Sequence, residues 1–121
     1  MALRVLFVDD EKDLVSTVVE RLELRGIDAT GAVSGQEALA LVGERPFDVV
    51  LLDVRMPGLG GFDVIRRIKQ SHPDLAVILL SGHGAKEDAD TGLRLGAFDY
   101  LQKPVDLEDV VAILHRAAAN G

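Results

Sequence analysis

A chain of 121 residues has room for one ordinary domain, and 48% hydrophobic residues supply a core for it. Thirteen Lys and Arg against twenty Asp and Glu leave a formal charge of −7, the wrong sign for a surface that works by neutralising nucleic-acid or lipid phosphates. There is no cysteine, which excludes disulfides and thiolate metal sites, and no apolar run approaches the roughly 18 to 20 residues of a membrane-spanning helix. The expectation is a single cytoplasmic domain over residues 1–121, with neither nucleic acid nor a membrane as direct partner.

Leu3 to Val8 reads as a short buried strand that stops at the acids Asp9, Asp10 and Glu11. Leu14, Val18 and Leu22, flanked by Val15 and Val19, form the apolar stripe of a helix that ends before Gly26. Ile27 to Val33 is a weaker strand. Ser34 and Glu37 make a capping box in front of Ala38, Leu39, Leu41 and Val42, the inner face of a second helix that Pro46 closes. Asp48 to Asp53 is an apolar run without alternation, the pattern of a strand covered on both faces, and belongs in the middle of a sheet. A loop carrying Pro57, Gly58, Gly60 and Gly61 leads into a third helix with Val64, Ile65 and Ile68 inside, stopped near Pro73. Ala76 to Leu80 repeats the covered-strand pattern and ends at Ser81, ahead of Gly82, His83 and Gly84. A fourth helix from Lys86 to Leu95, a short strand from Phe98 to Leu101 and a last helix, introduced by Pro104 and Asp106 and running to Ala119, complete the chain.

Five alternations of strand and helix predict an α/β fold, a doubly wound parallel sheet of five strands with five helices. Ligands of such sheets bind beyond the carboxyl ends of the strands. Asp9 and Asp10, Asp53, Ser81, and Lys103 with Pro104 all fall there. Taken singly, an Asp pair after a strand is ordinarily a turn or a helix cap, Ser81 a loop hydroxyl and Lys103 a solvated charge. Together they imply more. The first and third strands are neighbours in this topology, so their terminal carboxylates repel one another unless a proton or a cation lies between them. A donor set made only of oxygen favours Mg²⁺ over a transition metal. His72, His83 and His115 have no metal-ligand spacing, although His83 borders the same edge.

Five motifs stand in order at these strand ends: Val-Asp-Asp-Glu at 8–11, Leu-Leu-Asp-Val-Arg-Met-Pro-Gly at 51–58, Leu-Leu-Ser-Gly at 79–82, Gly-Ala-Phe-Asp-Tyr-Leu at 96–101, and Lys-Pro at 103–104. Over its whole length the chain resembles the receiver domains of bacterial two-component response regulators, whose strand order is 2-1-3-4-5. The resemblance implies that Asp53 accepts a phosphoryl group from a histidine kinase or phosphotransfer protein. It implies that Asp9, Asp10, Asp53 and the main-chain carbonyl of Arg55 bind Mg²⁺, that Lys103 neutralises a phosphoryl oxygen, and that the Lys103–Pro104 bond is cis. By the same resemblance Ser81 and Tyr100 form a switch that remodels the face of helix four, strand five and helix five for a downstream effector domain or protein. That face also leaves room for a homodimer. Arg55 and His83 fall where the family tunes the lifetime of the phosphoryl group. Such a domain promotes its own phosphorylation and dephosphorylation without being an enzyme that turns over a substrate. Residues 96–101 and the loop after Asp53 look most like receivers of the nitrogen-regulation class.

The chain departs from the family pattern at Ser81, where Thr is commoner, and at Gly82, where Ala is usual and glycine loosens the loop. Leu59 and Gly60 replace the residues that ordinarily cap helix three. Two other readings share the fold. A flavin or aspartate-based phosphatase site needs a Ser, Thr and Gly-rich loop or an Asp-x-Asp motif after the first strand, where this chain has Asp9, Asp10 and Glu11. A receiver-like module that binds partners without phosphorylation is the third.

Overall fold

A computed structural model describes residues 2–82 and 85–120. The strands are β1 (Arg4–Val8), β2 (Asp28–Ala32), β3 (Val49–Asp53), β4 (Ala76–Ser81) and β5 (Asp99–Gln102). They alternate with α1 (Lys12–Leu24), α2 (Gly35–Glu44), α3 (Gly61–Ser71), α4 (Ala85–Arg94) and α5 (Leu107–Asn120). All pair in parallel in one sheet of order β2-β1-β3-β4-β5, as the alternation and the resemblance imply.

The unalternating runs bury both faces of the central strands. Val5, Phe7, Val49, Leu51, Ile78 and Leu80 point to one side, where α1 brings Val15, Val18 and Leu22 and α5 brings Val110, Ile113, Leu114 and Ala117. Leu6, Val8, Val50, Leu52, Val77 and Leu79 point to the other, against Ala38 and Val42 of α2 and Val64, Ile65 and Ile68 of α3. Burial of each such side chain stabilises the fold by about 1.5–3 kcal/mol, which outweighs the modest propensities of the strands themselves.

Element ends differ from the sequence expectation by a residue or two. Ser81 belongs to β4 because it pairs with Gln102, which also moves β5 one residue later than expected. Asp48 stays outside β3; its carboxylate accepts hydrogen bonds from the Arg4 backbone amide at 2.9 Å and from the Arg4 guanidinium at 3.1 Å. The Ser34 half of the expected capping box forms at α2, with Glu37 N–H donating to Ser34 Oγ at 3.1 Å, while Glu37 Oε1 reaches back one residue further and accepts from Val33 N–H at 2.8 Å. At α3, Gly60 offers no side-chain cap, as its sequence implies. Asp106 accepts from Glu108 N–H at 2.8 Å and so starts α5.

Gly61 ties α3 to the sheet end. Its N–H donates to Val54 O at 2.9 Å, and a Cβ at this position would overlap the Asp53 carbonyl oxygen and lie 2.7 Å from Val54 Cα. Those atoms are backbone and cannot swing aside. Gly61→Ala is therefore expected to cost about 2 kcal/mol in urea unfolding, a loss that a surface Gly→Ala change would not show.

Candidate functional site

Ladder hydrogen bonds that continue past the strand ends place the site. Asp9 N–H donates to Ala32 O at 3.1 Å, Val54 N–H to Leu80 O at 2.9 Å, and Lys103 N–H to Ser81 O at 2.9 Å. The backbone at Asp9, Asp53, Ser81 and Lys103 is thus fixed by neighbouring strands before any side chain acts. Asp9, Asp53 and Ser81 are buried, Lys103 is partly buried, and Asp10 and Arg55 are exposed.

The structure brings four of the predicted side chains together. One oxygen each from Asp9, Asp10 and Asp53 lie within 4.8 Å of one another. Lys103 Nζ lies 2.6 Å from Asp9 Oδ2 and 3.4 Å from Asp53 Oδ2, with Glu11 at 3.9 Å. Asp9 Oδ1 accepts from Glu11 N–H at 3.0 Å, a turn that starts α1, and Asp53 Oδ1 accepts a long bond from Arg55 N–H at 3.4 Å. The peptide bond between Lys103 and Pro104 is cis, as the resemblance implies.

One ammonium among these carboxylates does not balance them. Burial, and after it the charge of Asp9, raise the Asp53 carboxyl above its ordinary pKa against the pull of Lys103 and the Arg55 amide. Burial works against the Lys103 ammonium too, but Asp9 and Asp53 outweigh it and its pKa is raised. The residues fit a hard divalent cation. Asp9 Oδ2 is buried and accepts no well-formed hydrogen bond among the described residues, although Lys103 stands close, and the ligand atoms offered by Asp9, Asp10 and Asp53 are all carboxylate oxygens.

Ser81 and Arg55 turn elsewhere. Ser81 Oγ donates to Asp88 Oδ2 at 2.7 Å, and Arg55 Nη2 lies 3.5 Å from Asp88 Oδ1. Asp88, on α4, is only 6% exposed, and the sequence reading passed over it. The signal was its spacing: Asp88 shares an inward stripe with Ala89 and Gly92, on a helix otherwise rich in exposed charge. Tyr100 is half-buried and packs against the α2 and α3 side of the core. His72 and His115 are exposed and remote from one another in sequence, and His83 lies outside the described residues.

The response regulator receiver domain family matches residues 5–115. The chain belongs to that family. Among curated relatives, this receiver domain is 38% identical over 117 residues to the DNA-binding transcriptional regulator NtrC of Salmonella typhimurium, covering 96% of this chain and 25% of that protein. It is 35% identical over 115 residues to the putative response regulator NtrX-like protein of Rickettsia bellii, covering 93% of this chain and 24% of that one. The chain therefore spans about a quarter of the length of these relatives. Among solved structures, the receiver domain of NtrX from Brucella abortus superposes with a TM-score of 0.90 at 34% identity, covering 97% of this chain and 99% of that one. A response regulator receiver domain from Clostridium thermocellum gives 0.92 at 36% identity, covering 97% and 94%. The likeness to the NtrC and NtrX proteins thus extends over nearly all of the receiver fold. Among the described residues, no helix is long and apolar enough to cross a membrane.

Proposed function

We propose that this receiver domain accepts a phosphoryl group on Asp53 from the phosphohistidine of a sensor kinase or phosphotransfer protein and answers by changing its α4, β5 and α5 surface. The meeting of Asp9, Asp53 and Lys103 at the carboxyl edge of the sheet supports this reading most directly. An Asp53 carboxylate oxygen attacks phosphorus; its O–P bond forms as the N–P bond of the donor breaks, and the departing imidazole nitrogen takes a proton from water. Lys103 faces the negative charge that grows on the phosphoryl oxygens, and the buried setting strengthens that attraction. Asp9, Asp10, Asp53 and the main-chain carbonyl of Arg55 would hold Mg²⁺, which supplies charge neutralisation when bound. Ser81 then donates its hydroxyl to the product, and Tyr100 turns further inward as the α4 side rearranges. Arg55, and by the family resemblance His83, would set how long the acyl phosphate lasts. The domain in this way promotes both its own phosphorylation and its loss.

A surface hollow lined by Glu11, Leu14, Leu80, Gly82, Lys103, Pro104 and Val105 borders the cluster at Lys103. Residues 1–121 in this reading act as one receiver domain in a cytoplasmic setting, signal to a downstream effector domain or protein, and self-associate through the α4, β5 and α5 face. Incubation with phosphoramidate and Mg²⁺, read by intact mass, should add one phosphate-sized increment that a chelator prevents. No gain under either condition points to a partner-binding module without phosphoryl chemistry, and continuous phosphate release from many substrates to an aspartate-based phosphatase.

A further inference from the structure

We propose that Asp88 is a latch for the unphosphorylated state: from α4 it holds both the Ser81 hydroxyl and the Arg55 guanidinium, so that α4 must move when a phosphoryl group on Asp53 claims them. The inference rests on the phosphoryl-acceptor reading above and concerns how that site is regulated.

Its two carboxylate oxygens are divided between two strand ends. Oδ2 accepts from Ser81 Oγ at the end of β4, at 2.7 Å, and Oδ1 faces Arg55 Nη2 just beyond the end of β3, at 3.5 Å. Gly92, one turn further along α4, makes this reach available, because a Cβ there would collide with the Leu79 side chain; the helix lies close against β4. Asp53 pairs in register with Leu80, so Ser81 and Arg55 flank the position that a phosphoryl group on Asp53 would occupy. Each donor is a natural partner for a phosphoryl oxygen. Once they turn to it, Asp88, 6% exposed, is a buried carboxylate deprived of these two partners. Buried unpaired charge is unfavourable, and the nearest relief is for α4 to swing outward and return Asp88 to water. The latch thus turns a local change of hydrogen-bond partners into displacement of a whole helix. It acts by position only; Asp88 is not among the carboxylates that gather at Asp53, and it meets Arg55 through the guanidinium, not through the main-chain carbonyl.

The test is the rate of phosphorylation by phosphoramidate at saturating Mg²⁺, followed by intact mass, for Asp88→Ala and Asp88→Asn in the wild-type and Ser81→Ala backgrounds. Loss of a charge-assisted hydrogen bond should release Ser81 and speed phosphorylation about tenfold in Asp88→Ala. Asp88→Asn, whose amide oxygen is a weaker acceptor, should fall between it and wild type, and it decides the matter if Asp88→Ala does not give a folded circular dichroism spectrum. Both gains should shrink in the Ser81→Ala background, where only the Arg55 half of the latch is left to release. A gain that persists there undiminished reflects mere removal of a negative charge near the site and overturns the latch, as does the absence of any gain in the wild-type background. A wild type that takes up no phosphoryl group overturns the acceptor reading, and the latch with it.

Discussion

Asp53→Asn is expected to take up no phosphoryl group under conditions that phosphorylate the wild type, and to unfold at a higher urea concentration than wild type when metal is chelated. The first outcome follows from chemistry, because an amide oxygen is a poor nucleophile and cannot form an acyl phosphate. The second follows from the site's electrostatics. Asp53 is 5% exposed, and burial and the charge of Asp9 raise its pKa in the folded chain. A carboxyl whose pKa is raised by folding stabilises the fold while protonated, below its unfolded value, and that contribution is lost as pH rises through its folded value. At neutral pH the ionised group opposes folding, and Asn removes that opposition. The advantage of the variant should therefore shrink as pH falls through the carboxylate range and Asp53 takes up its proton.

Magnesium should reverse the order. A cation held by the folded acid cluster at tenfold excess over its Kd stabilises by about 1.4 kcal/mol, and Asp53→Asn loses one of the carboxylates that would bind it. A variant that gains a phosphate-sized increment would move the acceptor role to another residue. A variant less stable than wild type in chelator would show that Lys103 more than balances Asp53.

The fold was legible where burial on both sides of a strand left a continuous apolar run, as at Val49–Leu52 and Ala76–Leu80, and where a stripe such as Val64, Ile65 and Ile68 left helical spacing. Edges were less clear. In β5 no residue is fully buried, so its limits depend on pairing with β4 and not on its own pattern. The acids, Ser81 and Lys103 could be placed at one edge from topology alone, since each ends a parallel strand. What each side chain meets could not. That Lys103 sits nearer Asp9 than Asp53, and that Ser81 bonds to Asp88, depends on angstrom-scale distances that close helix packing decides. Asp88 stayed hidden for the same reason: in Lys-Glu-Asp-Ala-Asp it reads as one more solvated charge until Gly92 is seen to admit α4 so close to the sheet.

Lys103→Met should produce the largest loss of stability at the site, about 3 kcal/mol in chelator, out of a total of about 5–15 kcal/mol for a domain of this kind. Asp9 is fully buried, and among the described residues the cation paired with it is Lys103, at 2.6 Å. Methionine fills much of the same space without the charge, so the loss measures the unbalanced carboxylates more than a cavity. Phosphorylation by phosphoramidate should slow about a hundredfold, the usual effect of removing one group that faces developing charge. Added Mg²⁺ should restore much of the stability but little of the rate, because the metal relieves the repulsion among Asp9, Asp10 and Asp53 without replacing the ammonium on the other side of the phosphoryl group. In the Asp53→Asn background the cost of Lys103→Met should be smaller, since one buried carboxylate rather than two is then left without its partner. Equal costs in the two backgrounds would mean that Lys103 serves Asp9 alone, and that its 3.4 Å approach to Asp53 contributes nothing to the fold.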